Sequence, residues 1–422
     1  MEKLSFLSEE HVRRIQKEYG TPVFVYDQNT LESQAQKALG FPNAFGLTAR
    51  YAMKACPNVA VIRILSNQGL HIDASSGYEA RRAIRAGVPA AHIQITAQQL
   101  PDDLDDLVNQ GVLFNACSLH QLRTYGTLFP EGEVSVRVNP GLGSGHSKRT
   151  NVGGPSASFG IWHEHMDEVV KIAQEFNLRI TGLHSHIGSG SDPEVWQRCA
   201  RLTLDVAARL PDVVRVSLGG GYKVGRMEGE QSTDVQEAGK PIVSEFERFA
   251  QQHGRQLHLE IEPGTFFVAN AGALIASVMD IVDTGVDGYR FLKIDSGMTE
   301  VLRPSLYGAQ HPIIVVPRED EERSSVEYLI AGHCCESGDV LTPEPDNPEG
   351  LQTRFLTEAK IGDPMVIGGS GAYCAGMAAK NYNSFPEASE VILARDGSIH
   401  ITRKRQTLDQ VLENEELPAL LA

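Results

Sequence analysis

The segment Arg50-Tyr51-Ala52-Met53-Lys54-Ala55-Cys56-Pro57 gives the first indication of the fold. Its residues favour a short buried strand, and Pro57 predicts that the strand ends just after Lys54. Burial disfavours the charged form of a lysine, and a neutral amine is a nucleophile that can form a Schiff base with an aldehyde. A solvated lysine at a strand end is the alternative, so the role of Lys54 depends on the residues that accompany it.

Short β-rich runs recur through the first two thirds of the chain. They lie at 46–53, 70–74, 92–96, 112–115, 134–138, 180–185, 214–218 and 257–261. Amphipathic helical patterns separate most of them, for example 59–65 and 78–87. Eight alternating strands and helices in about 230 residues predict a closed TIM-type (β/α)8 barrel. An open doubly wound sheet is the alternative, but it should carry a glycine-rich phosphate motif after its first strand, and residues 54–58 contain no glycine.

The pattern changes after about residue 275. Strand-like runs with turn signals follow at 275–282, 290–295, 313–316, 326–330 and 364–367. They predict a mostly antiparallel β domain, and the strand-like segment 21–27 is expected to pair into it. We therefore divide the chain into a barrel at 28–274 and a β domain formed by 1–27 and 275–422.

The composition is that of a globular protein, with 41% hydrophobic and 22% charged residues in a chain of 422. A net charge of −16 argues against a nucleic-acid partner, which would need a basic surface. No apolar run approaches the roughly 18 residues of a membrane span, and the N-terminus lacks the apolar core of a signal peptide. The six cysteines (56, 117, 199, 334, 335 and 374) form no CxxC pair, so we expect no metal site or disulfide framework and a cytoplasmic location.

Polar residues and glycines follow the ends of the predicted barrel strands. They are Lys54 (first strand), Asp73 (second), Arg137 and Asn139 (fifth), His186 with Gly188-Ser189-Gly190 (sixth), Gly219-Gly220-Gly221 (seventh) and Glu262-Pro263-Gly264 (eighth). Alone, a triple glycine is usually a flexible turn, and a histidine is usually structural. The active site of such a barrel lies at the C-terminal ends of its strands, so this set of residues predicts one common site.

The residue types at these strand ends indicate a particular cofactor. Glycines 219–221 let backbone N–H groups approach a phosphate, and Ser189 can add a hydroxyl donor. Lys54 can bind an aldehyde, the ring of His186 can stack on an aromatic group, and Glu262 can hold a proton on a pyridine nitrogen. Phosphate, aldehyde and pyridine nitrogen together predict pyridoxal 5′-phosphate.

The β domain contains a second group of candidate residues, Cys335-Glu336-Ser337-Gly338-Asp339 and Gly371-Ala372-Tyr373. A cysteine beside a carboxylate in a loop can donate a proton or contact a substrate. A buried, inert cysteine at a strand end is the alternative for Cys335.

Motifs spread from about Gly20 to Leu412 resemble those of a known enzyme group. They are Tyr51-Ala-Met-Lys54-Ala, Arg137-Val-Asn-Pro-Gly, His184-Ser-His186-Ile-Gly-Ser189, Gly219-Gly-Gly221, Glu262-Pro-Gly264, Arg303-Pro-Ser-Leu-Tyr307-Gly, Cys335-Glu-Ser-Gly-Asp339, Gly371-Ala-Tyr373 and Tyr382-Asn-Ser384. The chain thus resembles the fold-type III, alanine-racemase-like, pyridoxal-phosphate decarboxylases, and most closely the bacterial diaminopimelate decarboxylases. The stretch 145–154 looks like one branch of that group.

The resemblance implies roles for residues of both domains. Lys54, His186, Glu262 and Cys335 match catalytic residues: the lysine binds the cofactor aldehyde, the histidine stacks on the ring, and the glutamate contacts the pyridine nitrogen. The implied cofactor-binding set is Lys54, Asp73, Arg137, His186, Ser189, Gly219, Gly220, Gly221, Glu262, Gly264 and Tyr373. The implied substrate-binding set is Arg303, Tyr307, Glu336 and Tyr373, of which the first two hold the distal carboxylate. Cys335 and Glu336 match residues that enter from a partner subunit, which implies a homodimer with shared sites.

Two positions depart from the family pattern. The family motif after the eighth strand is Glu-Pro-Gly-Arg, whose arginine also binds the distal carboxylate, and this chain has Thr265 there. Loss of that charge-assisted contact corresponds to roughly 1.5–3 kcal/mol of binding. Ser158 replaces a common lysine before Phe159-Gly160.

The expected activity is the decarboxylation of meso-2,6-diaminopimelate to L-lysine and CO2. Because of Thr265, a sister decarboxylase acting on D-lysine, D-ornithine or a carrier-bound amino acid is the alternative. A racemase of the same fold would favour arginine at the pyridine nitrogen, whereas this chain has Glu262. A non-catalytic cofactor carrier would lack the β domain and its cysteine-containing loop.

Overall fold

The computed structural model describes residues 2–142, 153–186 and 192–421. Contacts divide the chain into two compact units. The barrel unit comprises Leu31–Val224 and Gln231–Phe267. The β unit comprises Met1–Thr30, Gly225–Glu230 and Val268–Ala422.

The strands are numbered in chain order. They are β1 (Val23–Asp27), β2 (Leu47–Ala52), β3 (His71–Ala74), β4 (Ile93–Ile95), β5 (Leu113–Ala116), β6 (Glu133–Asn139), β7 (Ile161–Trp162), β8 (Arg179–Ser185), β9 (Arg215–Ser217), β10 (His258–Ile261), β11 (Gly272–Asp283), β12 (Arg290–Ile294), β13 (Ile313–Val315), β14 (Ser325–Ala331), β15 (Pro343–Glu344), β16 (Asn347–Leu351), β17 (Arg354–Thr357), β18 (Pro364–Ile367), β19 (Ser389–Leu393) and β20 (Ile399–Arg403).

The α-helices are α1 (Glu9–Tyr19), α2 (Gln28–Leu39), α3 (Val59–Asn67), α4 (Gly77–Arg85), α5 (Leu104–Asn109), α6 (Leu119–Leu128), α7 (Met166–Glu175), α8 (Pro193–Ala207), α9 (Val235–His253), α10 (Thr265–Val268), α11 (Arg303–Tyr307) and α12 (Leu408–Leu412). Single 3-10 turns lie at Met53–Ala55, Ala90–His92, His163–His165, Tyr382–Ser384 and Ala419–Leu421.

A closed parallel barrel forms the core of the first unit. Its strand order is β2-β3-β4-β5-β6-β8-β9-β10, and β10 pairs with β2 to close the sheet. The strands at all eight predicted runs are present, so the predicted (β/α)8 fold is confirmed. All pairings in this sheet are parallel, which places the C-terminal ends of its strands at one rim.

Capped amphipathic helices follow several barrel strands. Asn58 caps α3 by accepting a hydrogen bond from Ala60 N at 2.9 Å, and Ser76 caps α4 by accepting one from Glu79 N at 3.1 Å. The apolar residues Val61, Ile62 and Leu65 of α3 are buried. Gly87 lies just beyond α4 with φ +83°, a conformation that glycine adopts without strain.

A buried ion pair lies within the barrel. Arg50 on β2 donates from Nη2 to Glu260 Oε1 on β10 at 3.0 Å, and these side chains are only 2% and 5% exposed. Burial by itself raises the pKa of a carboxyl group, but Arg50 and Arg215 outweigh it and hold the pKa of Glu260 below its usual value. The pair therefore joins the first and last barrel strands, and each buried charge is neutralised by the other.

The β unit is built around the N-terminal strand. β1 pairs antiparallel with β11 and parallel with β19, which confirms that the predicted strand at 21–27 pairs into the β domain. β12 and β14 are also parallel, and the other pairings of this sheet are antiparallel. Its core packs α1 against the sheet through Val12, Ile15, Val25 and Ile275. In the described part of the chain, no helix has both the length and the apolar character needed to cross a membrane.

Replacing Glu260 with glutamine should lower the free energy of unfolding by about 3–5 kcal/mol, because the Arg50 guanidinium would stay buried without its counter-ion. Urea denaturation measures this change. The matched control is Glu133→Gln, which breaks the exposed Arg179–Glu133 pair (2.7 Å) and should change stability by less than about 1 kcal/mol. Equal losses in the two variants would contradict the assignment.

Candidate active site

Lys54 lies in the 3-10 turn Met53–Ala55 that directly follows β2. Met53 and Ala55 are buried, but the side chain of Lys54 is exposed. The expectation that the strand end desolvates Lys54 is therefore wrong, because the 3-10 turn after β2 buries Met53 and Ala55 but leaves Lys54 exposed. Its amine is accessible at the rim where the barrel strands end.

Gly264 packs the loop after β10 against the turn that carries Lys54. A Cβ at this position would lie 3.2 Å from both the Ala52 carbonyl oxygen and Ala55 Cβ. The Ala52 N–H also donates to the Pro263 carbonyl at 3.0 Å. The first and eighth strands thus stay joined beyond their paired residues, and a larger side chain at Gly264 would displace the lysine turn. The contact of Gly264 with a cofactor remains a prediction.

Glu262 is a buried carboxyl group directly after β10. Ser217 Oγ donates to its Oε1 at 2.7 Å, and its side chain is only 5% exposed. Burial and the nearby Asp73 together raise the pKa of Glu262 to about 8, although the Ser217 hydrogen bond opposes them. At neutral pH this carboxyl group therefore holds its proton, because no cation among the described residues is bonded to it.

His184 belongs to the site although no role was assigned to it from the sequence. It is buried on β8, Asn115 Nδ2 lies 2.7 Å from its Nδ1, and its Nε2 lies 3.3 Å from Glu262 Oε2 without forming a hydrogen bond. Burial lowers the pKa of His184 well below the usual value, so the contact is not an ion pair. Residues i and i+2 of a strand share a face, and the His184-Ser-His186 spacing was the available signal.

Asp73 is a second buried acid, near the end of β3. Its side chain is buried, and its Oδ1 has no hydrogen-bond partner among the described residues. Burial raises the pKa of Asp73, whereas the charge of Lys54 is the main influence that lowers it. Asp73 and Glu262 therefore lie close enough to repel each other, and Lys54 lies close enough to compensate.

His186 and the triple glycine form a single contact at the rim. The Gly220 N–H donates to His186 Nδ1 at 3.2 Å, which leaves the proton of the neutral ring on Nε2. Burial lowers the pKa of His186 well below the usual value, and the charges of Arg137 and Lys54 add to this effect. The neutral, oriented ring is suited to stacking on an aromatic group.

Glycine is required at two of the three positions. Gly219 has φ +71°, and a Cβ there would lie 2.4 Å from His186 Nδ1. A Cβ on Gly220 would lie 2.3 Å from the Glu262 carbonyl oxygen. The turn therefore offers backbone without side chains, which is the surface that a phosphate group needs. Gly221 continues this turn with φ +99°, and the predicted phosphate ligand Ser189 lies outside the described residues.

Arg137 and Asn139 lie at the end of β6. The Arg137 guanidinium carbon lies 5.0 Å from the centre of the Phe159 ring, a cation–π contact. Asn139 Oδ1 accepts from Gly154 N at 2.8 Å and from Gly141 N at 3.1 Å. Asn139 thus stabilises the chain after β6, while Arg137 contributes positive charge to the rim.

These barrel residues fit pyridoxal phosphate. A pyridine nitrogen beside Glu262 could take up the proton that this carboxyl group holds, and the glycines provide a cradle that a Cβ would fill. Lys54 presents an exposed amine near this group, as its effects on the pKa values of Asp73 and His186 show.

The β unit contains an arginine cluster, which we define as Arg226, Arg303 and His311. Arg303 begins α11, and its Nη1 donates to His311 Nε2 at 3.0 Å. Burial lowers the pKa of His311 well below the usual value, and both arginines add to this effect, so the ring is neutral. Tyr307, at the other end of α11, is half-buried, and Tyr373 has φ +56°, an uncommon conformation for a tyrosine.

A rigid framework holds the loop that contains Cys335 and Glu336. The Asp339 carboxylate accepts from Met298 N at 2.7 Å and from Cys334 N at 2.9 Å, and Asn383 Oδ1 accepts from Cys335 N at 2.8 Å. Cys335 and Glu336 are exposed. The alternative of a buried Cys335 is therefore wrong. Burial raises the pKa of the neighbouring Cys334 to about 12, so that thiol stays protonated.

A (β/α)8 barrel with a lysine, a neutral histidine and a buried glutamate at its C-terminal rim, accompanied by a mostly antiparallel β unit, defines a class of pyridoxal-phosphate enzymes. Residues 30–269 match the pyridoxal-binding domain of the pyridoxal-dependent decarboxylases. The chain belongs to this family of enzymes, and pyridoxal phosphate is its cofactor.

Known relatives match the chain over almost its whole length. It is 35% identical to the diaminopimelate decarboxylase of Escherichia coli K12, with 97% of each chain covered. It is also 35% identical to that of Streptomyces coelicolor, with 96% of this chain and 91% of the relative covered. A crystal structure of a diaminopimelate decarboxylase, 33% identical, superposes with a TM-score of 0.90 over 97% of both chains. The enzyme of Helicobacter pylori complexed with L-lysine, 25% identical, gives 0.83 over 95% and 98%.

Glu262 predicts a pH dependence in the cofactor-free protein. The folded state keeps this proton up to about pH 8, whereas the unfolded state releases it near pH 4.5. The stability that Glu262 contributes is thus complete below about pH 4.5 and is lost as the pH rises through about 8. Glu262→Gln should remove this decline, as measured by urea denaturation across the pH range. Parallel pH profiles for wild type and variant would contradict the assignment.

Proposed function

We propose that the protein removes one carboxyl group from meso-2,6-diaminopimelate and releases L-lysine and CO2. The full-length similarity to relatives named diaminopimelate decarboxylase carries this proposal. The lysine, histidine and glutamate at one barrel rim support it, because a decarboxylase of this kind needs an amine, a flat neutral ring and a proton at the pyridine nitrogen.

Bound pyridoxal phosphate supplies an aldehyde and a protonated ring that withdraws electrons from the carbon that loses CO2. Lys54 would hold the cofactor aldehyde through its side-chain amine. Glu262 would provide a proton to the pyridine nitrogen, since its raised pKa leaves it protonated at neutral pH. His186 orients the ring, since its own orientation is fixed by the Gly220 N–H. Gly219–Gly221 and Ser189 hold the phosphate.

The β unit supplies the contacts to the substrate. Arg303 and Tyr307 would bind the distal carboxylate, and Tyr373 would contact the cofactor. When the bond to the carboxyl group breaks, its electron pair stays on the carbon, and a proton then adds there. Cys335 or Lys54 donates that proton. Glu336 contacts the reacting amino-acid centre.

We further propose a homodimer with shared sites, acting in the cytoplasm. Cys335 and Glu336 are exposed, yet their loop is held in place by Asp339 and Asn383. An ordered loop that presents a thiol and a carboxylate to solvent is suited to complete the site of a second subunit.

The sister-decarboxylase alternative rests on Thr265, where the family has arginine. Purified holoenzyme should form L-lysine and CO2 from meso-2,6-diaminopimelate and turn over D-lysine and D-ornithine at least about 10-fold less efficiently, since these lack the distal carboxylate. Chromatography of the products with a substrate panel measures this. A preference for D-lysine or D-ornithine would favour the alternative, and turnover of no amino acid would overturn the function.

Subunit mixing tests the shared site. Lys54→Ala and Cys335→Ala should each be inactive or nearly so, but their mixture after subunit exchange should regain about a quarter of wild-type activity, because half of the dimers then contain one intact site. Decarboxylation rates of the mixture and of each variant measure this. The matched control mixes Lys54→Ala with Glu262→Gln, both in the barrel unit, and should regain nothing. Failure of the first mixture to regain activity would contradict a shared site.

A further inference from the structure

Arg226 lies in the short segment Gly225–Glu230 that belongs to the β unit. Asn270 Nδ2 donates to the Gly225 carbonyl at 2.9 Å, which holds the start of this segment. Arg226 Nε donates to the Gly369 carbonyl at 3.0 Å, but its buried Nη2 atom has no hydrogen-bond partner among the described residues. A buried donor on a cation lowers the stability of the folded state when it has no acceptor, so the unpaired Nη2 of Arg226 indicates that an acceptor binds there.

The neighbouring glycine, Gly368, orients the second guanidinium of the arginine cluster through His311. His311 Nδ1 lies 2.9 Å from the Gly368 carbonyl, and a ring nitrogen that faces a carbonyl must donate. The other nitrogen of the neutral ring, Nε2, therefore accepts from Arg303. Gly368 and Gly369 thus position Arg303, through His311, and Arg226 directly. A Cβ on Gly369 would lie 2.9 Å from Cγ and Cδ of Arg226, so glycine makes room for this side chain.

Neither guanidinium group of the arginine cluster is paired with a carboxylate within residues 2–142, 153–186 and 192–421, although Glu230 lies nearby and accepts from the backbone N–H of Arg226 at 2.8 Å. Burial and the charge of Arg303 together lower the pKa of Arg226 to about 9, so its guanidinium remains cationic at neutral pH. Two adjacent cations with a free N–H donor form a site for an anion, and a carboxylate matches the planar guanidinium.

We propose that Arg226 is a specificity-determining residue that binds, together with Arg303, the distal carboxylate of the substrate. It supplies the second guanidinium that the chain lacks at Thr265. The enzyme therefore prefers amino acids with a carboxylate at the end remote from the reaction. This inference rests on the proposed function, because it assigns a further residue to the same substrate.

Binding of L-lysine and cadaverine to the holoenzyme tests this role, because the two molecules differ only in that carboxylate. Arg226→Gln should weaken L-lysine binding by about 10- to 100-fold, whereas cadaverine binding should change less than about 2-fold. With meso-2,6-diaminopimelate, KM should rise in the same proportion while kcat changes little. Arg226→Lys, which keeps the charge but not the planar fork, should show a smaller loss. Calorimetry measures the binding.

The matched control is Arg290→Gln. It removes one arginine charge from the same unit, but Arg290 lies outside the arginine cluster and is already paired with Asp283 at 3.5 Å. It should leave both affinities unchanged. If Arg226→Gln does not fold, the Arg226→Lys variant provides the test. The proposal is overturned if the affinity for L-lysine is unchanged in the variant, or if the affinities for L-lysine and cadaverine fall equally. The binding measurement needs no turnover, so its result does not depend on whether the enzyme is active. If the wild type failed to decarboxylate meso-2,6-diaminopimelate, the proposed function would be rejected, and the role of Arg226 would still be tested by L-lysine and cadaverine binding.

Discussion

Glu262, a buried carboxyl group that pairs with no cation in the part of the chain that the structure describes, sets the requirements for the barrel site. Burial and the nearby Asp73 keep its proton in place, and Ser217 supplies only a neutral hydrogen bond. The surrounding groups are arranged accordingly: His184 and His186 are both held neutral, and Lys54 brings the accessible positive charge. Glu262 thus holds a proton that a pyridine nitrogen can accept, and this explains why a pyridine cofactor suits the site.

The sequence allowed the barrel to be predicted strand by strand, because buried parallel strands are short apolar runs separated by amphipathic helices. Once the strand ends were located, Asp73, His186 and Glu262 had to lie at one rim. The pairing of β1 with β11 and β19 was predictable for the same reason, since an apolar run before the barrel needs a partner sheet. Periodicity identified these features because they depend on backbone direction alone.

Other features depend on side-chain geometry and could not be obtained from periodicity. The exposure of Lys54 results from a single 3-10 turn after β2, and no local pattern distinguishes that turn from one further strand residue. The role of His184 follows from its distance to Glu262 and from its contact with Asn115, which is 69 positions away in sequence. Arg226 looked like an ordinary loop residue, since nothing in Gly225–Glu230 indicates membership of the β unit.

The location of Arg226 in the chain limits how such enzymes could be recombined. The glycine turn ends at Gly221, and the segment that carries Arg226 begins four residues later, before α9 and β10. A hybrid made by exchanging everything after the barrel would acquire a foreign Arg303 but keep the native Arg226. Its two arginines would then come from different parent enzymes, and exchange of the C-terminal part alone would not transfer the substrate preference. To transfer substrate specificity between such enzymes, the segment Gly225–Glu230, which lies between the two barrel segments in the sequence, would have to be exchanged as well.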